Sequence, residues 1–485
     1  MSLLDTLIER GHTRLHIRGE WVESSDGATF EVLDPSNGRP IAEVSSGSVE
    51  DALAAVEAAH EAAADWSSVA PRTRGEILRN AFRLMIDRAD QLAELITLEM
   101  GKAIKESRAE VAYAAEFFRW FSEEAVRNQG TIQRAPGGDK RIVAIHQPVG
   151  VALLITPWNF PAAMATRKIG PAVAAGCTMV LKPASDTPLT SLAIAALLEE
   201  AGLPPGVLNV LPSRRSSEVV SAMLADDRVR KLSFTGSTEV GRTLLELAAR
   251  RVVNCSMELG GNAPFLVFED ADLEAAVEGA MVAKLRNGGQ SCIAANRIYV
   301  HEKVADRFAD LLAKAMESVR VGPGLDPEVE LGPVINAGAQ ADMEEAVELA
   351  VSGGGRVKTG GGKPDSPGFF YLPTVVDGVS PDNPVLRREI FGPVAPVVRF
   401  STDEEAIRMA NDSIHGLAAY LYTSDLSRAM RTAEAIEAGM VGINRGLISD
   451  PAAPFGGVKQ SGLGREGGHE GLMEFLETKY IAVDW

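Results

Sequence analysis

The spacing of apolar residues divides the chain into stretches of different period. Near the start, Leu15-His16-Ile17 and Thr29-Phe30-Glu31-Val32-Leu33 are strand-like runs bounded by Gly and Asp-Pro turn signals, and they read as a strand pair. From Ser48 the period becomes helical. Val49, Ala52, Leu53, Val56 and Ala59 share a face, and Ser48 with Asp51 resembles a capping box with Asp in the place of Glu or Gln. Ile77, Ala81, Leu84, Met85 and Leu92 continue as one long amphipathic helix, and another is predicted from about Lys105 to Arg127. Gly137-Gly138-Asp139 then introduces an alternating, extended stretch, Arg141–Gln147.

Beyond it the chain reads as βα repeats. Val149–Ile155 is fully apolar and is followed by Pro161 and a helix through Ala175. Thr178–Leu181, Val207–Leu211 and Lys231–Phe234 are similar short runs, each followed by a helix. Unbroken apolar strands alternating with helices are the pattern of parallel strands covered on both faces, so an open, doubly wound α/β sheet of the Rossmann type is predicted. A second series follows residue 260. Its strands are Phe265–Phe268, Arg297–Val300, Arg356–Thr359, Val394–Phe400 and Leu417–Tyr422, with helices near 271–285, 303–319 and 338–352. Two α/β domains joined near 255–262 are expected.

Length and charge narrow the function. A chain of 485 residues suits two or three packed units rather than one core. Its 48 Lys+Arg against 66 Asp+Glu give a net charge of −18, which argues against nucleic-acid and anionic-membrane partners but not against a small anion held by local cations. Three cysteines make no disulfide framework and suit a reducing cytoplasm. The start, Met1-Ser2-Leu3-Leu4-Asp5, lacks the basic and apolar regions of a signal peptide, and no unbroken apolar run approaches the ~18 residues of a membrane span. No metal ligand set is expected.

Several residues carry candidate chemistry. Cys177 and Cys255 sit in apolar contexts and read as packing thiols. Cys292 ends Asn287-Gly288-Gly289-Gln290-Ser291-Cys292, a Gly-rich loop where a thiol is accessible and suits a nucleophile. Glu258, beside Gly260-Gly261 at the domain junction, suits a general base or a solvated loop charge. Asn159, in Thr156-Pro157-Trp158-Asn159-Phe160-Pro161 after a buried strand, suits an oxyanion donor or an Asx turn. Phe234-Thr235-Gly236-Ser237-Thr238 runs from strand through turn to helix and suits a pyrophosphate cradle.

Taken together these segments resemble the aldehyde dehydrogenase superfamily. Pro157-Trp158-Asn159-Phe160-Pro161, Lys182-Pro183-Ala184-Ser185, Phe234-Thr235-Gly236-Ser237, Glu258-Leu259-Gly260-Gly261, Gly289-Gln290-Ser291-Cys292, Glu389-Ile390-Phe391-Gly392-Pro393 and Pro454-Phe455-Gly456-Gly457 follow the family's order and spacing. The resemblance implies a Rossmann-type cofactor domain (1–126 and 147–257), an α/β catalytic domain (258–460) and a β oligomerisation element (127–146 and 476–485). It implies Cys292 as nucleophile, Asn159 and the Cys292 N–H as oxyanion donors, and Glu258 as the base that hydrolyses the thioester. It also implies that Lys182 binds the adenosine ribose, Ser237 the pyrophosphate and Glu389 the nicotinamide ribose. Thr156, Pro157, Trp158, Ser185, Thr235, Gly236 and Phe391 would line the same cofactor site. A homodimer or homotetramer is implied as well, since the alternating tail Lys479–Trp485 would be an exposed edge if unpaired.

NAD-preferring relatives often carry Glu at the position of Ser185, where it would repel a 2′-phosphate. With Ser185, Lys182 and the neighbouring Arg214 and Arg215, NADP is expected to be accepted and slightly favoured over NAD. The closest resemblance is to succinate-semialdehyde dehydrogenases, whose carboxylate-binding arginines match Arg167 and Arg286 and whose substrate serine matches Ser449. Two guanidiniums and a hydroxyl make a carboxylate receptor. The alternative for both arginines is a pair of helix-surface ion pairs, and the carboxylate receptor is the favoured reading. The implied reaction is oxidation of succinate semialdehyde to succinate. Glutarate semialdehyde or an aromatic aldehyde is the alternative, and a thiol esterase or a non-catalytic protein on the same scaffold stands further off.

Overall fold

A computed structural model describes residues 2–484. Short strands at Leu208–Val210, Thr178–Lys182, Val151–Ile155, Val229–Thr235 and Asn254–Glu258 lie side by side in that spatial order, all parallel. Counted along the chain the order is 3-2-1-4-5, so it reverses between Val151–Ile155 and Val229–Thr235. Such a reversal opens a crevice at the carboxyl ends of the two strands. Val151–Ile155 and Thr178–Lys182 are buried at every position because both faces are covered. Ala152 and Leu154 pack among the helices Pro161–Ala175 and Leu189–Glu200, whereas Val151, Leu153 and Ile155 meet Val49–Ser68, Ser216–Ala225 and Thr238–Ala249.

Glu258 is the last residue of its strand, level with Thr235 on the neighbouring one. The chain then crosses at residues 259–262 into a second sheet. Its strands, in spatial order, are Arg356–Thr359, Thr374–Asp377, Val394–Phe400, Ala295–His301, Ala263–Val267, Ala418–Tyr422 and Met440–Ile443, parallel except at the first pair. Late in the chain, Gly462–Leu463 returns to pair antiparallel with Asn254–Glu258. A third, antiparallel sheet joins distant segments. Leu476–Val483 pairs along its whole length with Arg141–Pro148, which also pairs with Thr131–Arg134. Met1, at the expected start of the first domain, and Trp485, at the end of the expected tail strand, lie outside the described residues.

Three early expectations change. Leu15–Ile17 does not pair with Thr29–Asp34. It forms a hairpin with Glu20–Val22 through Arg18 and Gly19, both at positive φ (59° and 77°), the two-residue turn that matches strand twist. Thr29–Asp34 pairs instead with Arg39–Ser45. The long helix through residues 77–92 is two helices, Pro71–Asp87 and Ala89–Met100, parted at Arg88 where φ is −112°. A further helix, Leu3–Glu9, begins in a Ser2–Asp5 capping box that the sequence reading missed. The Ser48–Asp51 capping box forms as expected.

Candidate active site

A cavity of about 540 Å³ opens where the strand order reverses. Thr156, Pro157 and Trp158 line it just beyond the end of one strand, and Thr235, Gly236 and Ser237 at the end of the next. Ser237 caps the helix Thr238–Ala249 by accepting from the Val240 N–H, so the positive end of that helix points at the cavity. Gly236 has no room for a side chain, since a Cβ there would lie 2.4 Å from the Phe234 ring. The buried Thr235 hydroxyl has no protein partner among the described residues. A helix N-terminus, a glycine turn and an orphaned hydroxyl fit a dinucleotide pyrophosphate.

Further along the same wall, Lys182 is buried, which pushes its ammonium down to about 8. Ser185 lines the cavity and donates to the Ser213 carbonyl at 2.9 Å. The two arginines beyond it part company. Arg215 is committed to Asp26 at 2.7 Å, while Arg214 lies over the Phe30 ring and its charge still reaches Lys182.

The loop that carries Cys292 is built from left-handed backbone. Asn287, Gly288 and Gly289 have φ of 57°, 65° and 76°, which Asn and Gly tolerate best. This coil brings Cys292 to the cavity wall, half-buried rather than fully open. Burial pushes its thiol up to about 12. Arg167 pulls it down, and the Glu389 and Glu258 charges push it further up. Asn159 is buried beside it. Its Nδ2 donates one hydrogen to the Gln290 carbonyl at 3.0 Å, its Oδ1 accepts from the Phe160 N–H, and its second amide hydrogen remains for a ligand. The Asn159 carbonyl is gripped by Lys102 Nζ at 2.7 Å and Asn287 Nδ2 at 2.8 Å.

The Glu-Leu-Gly-Gly segment is explained by close approach. A Cβ on Gly261 would lie 1.9 Å from the Cys292 carbonyl oxygen, and one on Gly260 would lie 2.9 Å from Glu389 Oε2. Glu389 accepts from the Gly261 N–H at 3.0 Å and lines the cavity with Phe391, whose ring meets Trp158 edge-on at 5.4 Å.

Glu258 does not line the cavity. It is buried, Oε1 lies against Gly456, and neither carboxyl oxygen has a protein hydrogen bond among the described residues. Burial and the nearby Glu466 charge push it well above the usual carboxylate range, with Arg167 and Lys168 pulling back. Glu466 is buried too, but its ion pairs with Lys168 and Arg167 overcome that burial and hold it below the usual range.

At the other end of the cavity, Arg286 donates to Ser449 Oγ at 3.3 Å and lies over Phe160 (4.9 Å) and Tyr113 (5.7 Å). Arg167 also lines it, over the Phe455 ring at 4.3 Å. The two arginines differ. Arg167 is buried and neutralised by Glu466, whereas Arg286 makes no ion pair among the described residues. Neither is a helix-surface ion pair.

Comparison with known proteins decides the family. Residues 21–481 match a model described as the Aldehyde dehydrogenase family. A succinate-semialdehyde dehydrogenase of Paenarthrobacter nicotinovorans is 57% identical over 443 residues, covering 91% of this chain and 98% of that protein. The chain belongs to the aldehyde dehydrogenase family. A glutarate-semialdehyde dehydrogenase of Pseudomonas putida is 48% identical over 483 residues, covering 100% of each chain. A crystal structure described as an E. coli NADP dependent enzyme superposes with a TM-score of 0.96 at 48% identity and covers 98% of both chains.

For an aldehyde dehydrogenase the surrounding shell matters as much as the named groups. Sequence reasoning missed Tyr113, Lys168, Glu466 and Phe455. Tyr113 and Phe455 line the cavity, and Lys168 and Glu466 form the charged cluster behind Glu258. Lys168 was within view, next to Arg167, but its partner lies almost three hundred residues along the chain. Among the described residues no helix is long and apolar enough to cross a membrane.

Proposed function

We propose that this aldehyde dehydrogenase oxidises succinate semialdehyde to succinate, with NADP preferred over NAD. One observation carries the substrate reading. A guanidinium without an ion pair, Arg286, stands over two aromatic rings beside Ser449 in the cavity that holds Cys292. An unpaired guanidinium beside a hydroxyl is a receptor for a carboxylate. The relatives named for succinate and glutarate semialdehydes both act on such carboxylated aldehydes.

In this reading Cys292 gives its proton to water and its sulfur attacks the aldehyde carbon, the carbonyl π pair moving onto oxygen. The oxyanion of the thiohemiacetal takes the free Asn159 amide hydrogen and the Cys292 N–H. A nicotinamide in the cavity beside Glu389 and Phe391 would supply the acceptor for the hydride that leaves this carbon. The acyl group is then a thioester on Cys292. Glu258 takes a proton from water, the C–S bond breaks, and the acid leaves with the thiol restored. Glu258 must swing from Gly456 to the cavity to do so. Thr235 and Ser237 hold the pyrophosphate, Lys182 and Ser185 the adenosine end, and Glu389 the nicotinamide ribose. Ser185 carries no charge to repel a 2′-phosphate, and Arg214 and Lys182 attract one.

A panel of succinate semialdehyde, glutarate semialdehyde, a neutral aldehyde and an aromatic aldehyde, each with both cofactors, tests this. The expected result is the highest kcat/KM for succinate semialdehyde with NADP. A hundredfold preference for NAD would remove the cofactor reading. Glutarate semialdehyde is the second reading, because one methylene is worth only ~1–3 kcal/mol of discrimination.

The same proposal divides the chain into a cofactor domain (1–126 and 147–257), a catalytic domain (258–460) and a β element (127–146 and 476–485). The cytoplasm is the compartment proposed, consistent with three free thiols. In the β element the exposed Ile132 and Ile481 both stand opposite Val143, on one face of the three-stranded sheet. A sheet with such an apolar face pairs readily with a neighbour. Light scattering should return two or four times the 51.6 kDa chain mass, and a monomer would refute it.

A further inference from the structure

Lys284 is an ammonium with no use in the mechanism above. It stands in the last turn of the helix Leu273–Leu285 and is 0% exposed. Its Nζ donates to Asn296 Oδ1 at 2.8 Å and to the Ile390 carbonyl at 3.3 Å, both neutral. Burying a full charge on two neutral oxygens is costly, and an apolar side chain of similar length would fill the space without that cost. The position therefore asks for a reason, and its two partners supply one. Asn296 stands four residues after Cys292, in the strand Ala295–His301. Ile390 lies between Glu389 and Phe391, which line the cavity. The two segments also interlock nearby, since a Cβ on Gly289 would lie 2.2 Å from the Gly392 carbonyl oxygen.

We propose that Lys284 is a positioning residue for the nicotinamide end of the cofactor, clamping the Glu389–Phe391 loop to the segment that bears Cys292 and presenting a positive charge to Glu389. The proposal rests on the assignment of Glu389 to the cofactor. The electrostatics agree with the geometry. Burial pushes Lys284 down to about 7, with Glu389 opposing, and burial pushes Glu389 up to about 7, with the Gly261 N–H and Lys284 opposing. The groups facing Glu389 are Lys284 from the helix, Cys292 from the nucleophile loop and His415, which lies near Gly260 and binds its carbonyl. Of these, burial holds the thiol protonated and pushes the imidazole below its usual range, so Lys284 is the cation on which the Glu389 charge depends.

The test compares binding of NADP with binding of 2′,5′-ADP, which carries the adenosine end alone. Lys284→Met should weaken NADP binding about tenfold and leave 2′,5′-ADP binding unchanged. Below neutral pH, wild-type affinity for NADP should fall relative to 2′,5′-ADP as Glu389 takes a proton. In the variant that fall should begin at higher pH, because no ammonium favours the carboxylate. Equal weakening of both ligands, an unchanged NADP affinity or an unmoved pH midpoint would overturn the proposal. Lys284→Gln keeps a donor for Ile390 and serves if the methionine variant does not fold. It should move the pH midpoint in the same direction with a smaller loss of affinity, and an unmoved midpoint would again overturn the role. Wild-type protein that binds neither NADP nor NAD would remove the cofactor assignment itself, a failure distinct from that of the lysine.

Discussion

Glu258→Gln should give an enzyme that reacts once and then stalls. Mixed rapidly with cofactor and semialdehyde, it should release a burst of about one reduced cofactor per subunit, followed by a steady rate about 10²–10⁴-fold below wild type, the range for loss of a general base. The two halves of the reaction use different groups. Attack and hydride loss need Cys292 and the Asn159 amide, which the substitution leaves untouched. Hydrolysis needs a group that takes a proton from water, and an amide does not. Gln is nearly isosteric, and both Glu258 oxygens lack protein hydrogen bonds, so no ion pair is broken. The buried Glu466 keeps its partners Lys168 and Arg167. Mass spectrometry of the stalled protein should find the acyl group on Cys292, and Cys292→Ala should show neither burst nor adduct. The pH dependence has a definite sign. Glu258 acts only as carboxylate, and its pKa is held well above the usual carboxylate range by burial and by Glu466. Wild-type hydrolysis should therefore climb as pH rises through that raised value, and the residual rate of the variant should lack this limb. A variant with no burst, or with an unchanged steady rate, would remove Glu258 from the hydrolytic step.

The parts of the fold that were legible are those in which burial is local in sequence. Val149–Ile155 reads as a strand because it is an unbroken apolar run, and the observed strand Val151–Ile155 is buried at every position; Pro161–Ala175 reads as a helix because Pro stands at its start. What was not legible depends on partners far away or on single residues. The apolar stripe runs on across Arg88 although the helix does not, because periodicity reports faces and not one residue's φ. The Arg18–Gly19 turn carries no Asn-Gly signal, so its hairpin was assigned a wrong partner strand. At the site, motif resemblance supplied residues that line the cavity. It did not supply the buried charges beneath them. Glu110 accepts from the Ala162 and Ala163 N–H groups at the start of one helix, and Glu99 from Leu189 and Thr190 at the start of another. In sequence both are ordinary acidic residues within amphipathic helices. Lys168, Glu466 and Lys284 are hidden the same way, since spacing along a helix does not tell a solvated charge from a buried one.

Arg286→Ala should reduce kcat/KM for succinate semialdehyde by about 30- to 5,000-fold, corresponding to the ~2–5 kcal/mol lost when one partner of a buried charge pair is truncated. A neutral aldehyde of equal length should change far less, because it has no carboxylate to hold. The choice of Arg286 over Arg167 follows from charge accounting within the cavity. Arg167 already has a carboxylate, Glu466, in contact, and removing it would leave Glu466 buried with only Lys168 and disturb the neighbourhood of Glu258. Its variant would fail for neutral and charged aldehydes alike. Arg286 has no such internal partner among the described residues, and its other contacts are the Ser449 hydroxyl and the faces of Phe160 and Tyr113. Its removal therefore exposes little that was paired, and the penalty should fall on the substrate's own charge. The effect should appear mainly in KM, since the carboxylate is held equally before and during attack on the distant carbon. Ser449→Ala should shift KM in the same direction by a smaller factor, as a neutral hydrogen bond is worth less than a guanidinium. Equal losses for the charged and neutral aldehydes in the Arg286 variant would mean that the arginine shapes the pocket rather than binding the carboxylate. The succinate reading would then lose the observation that carries it.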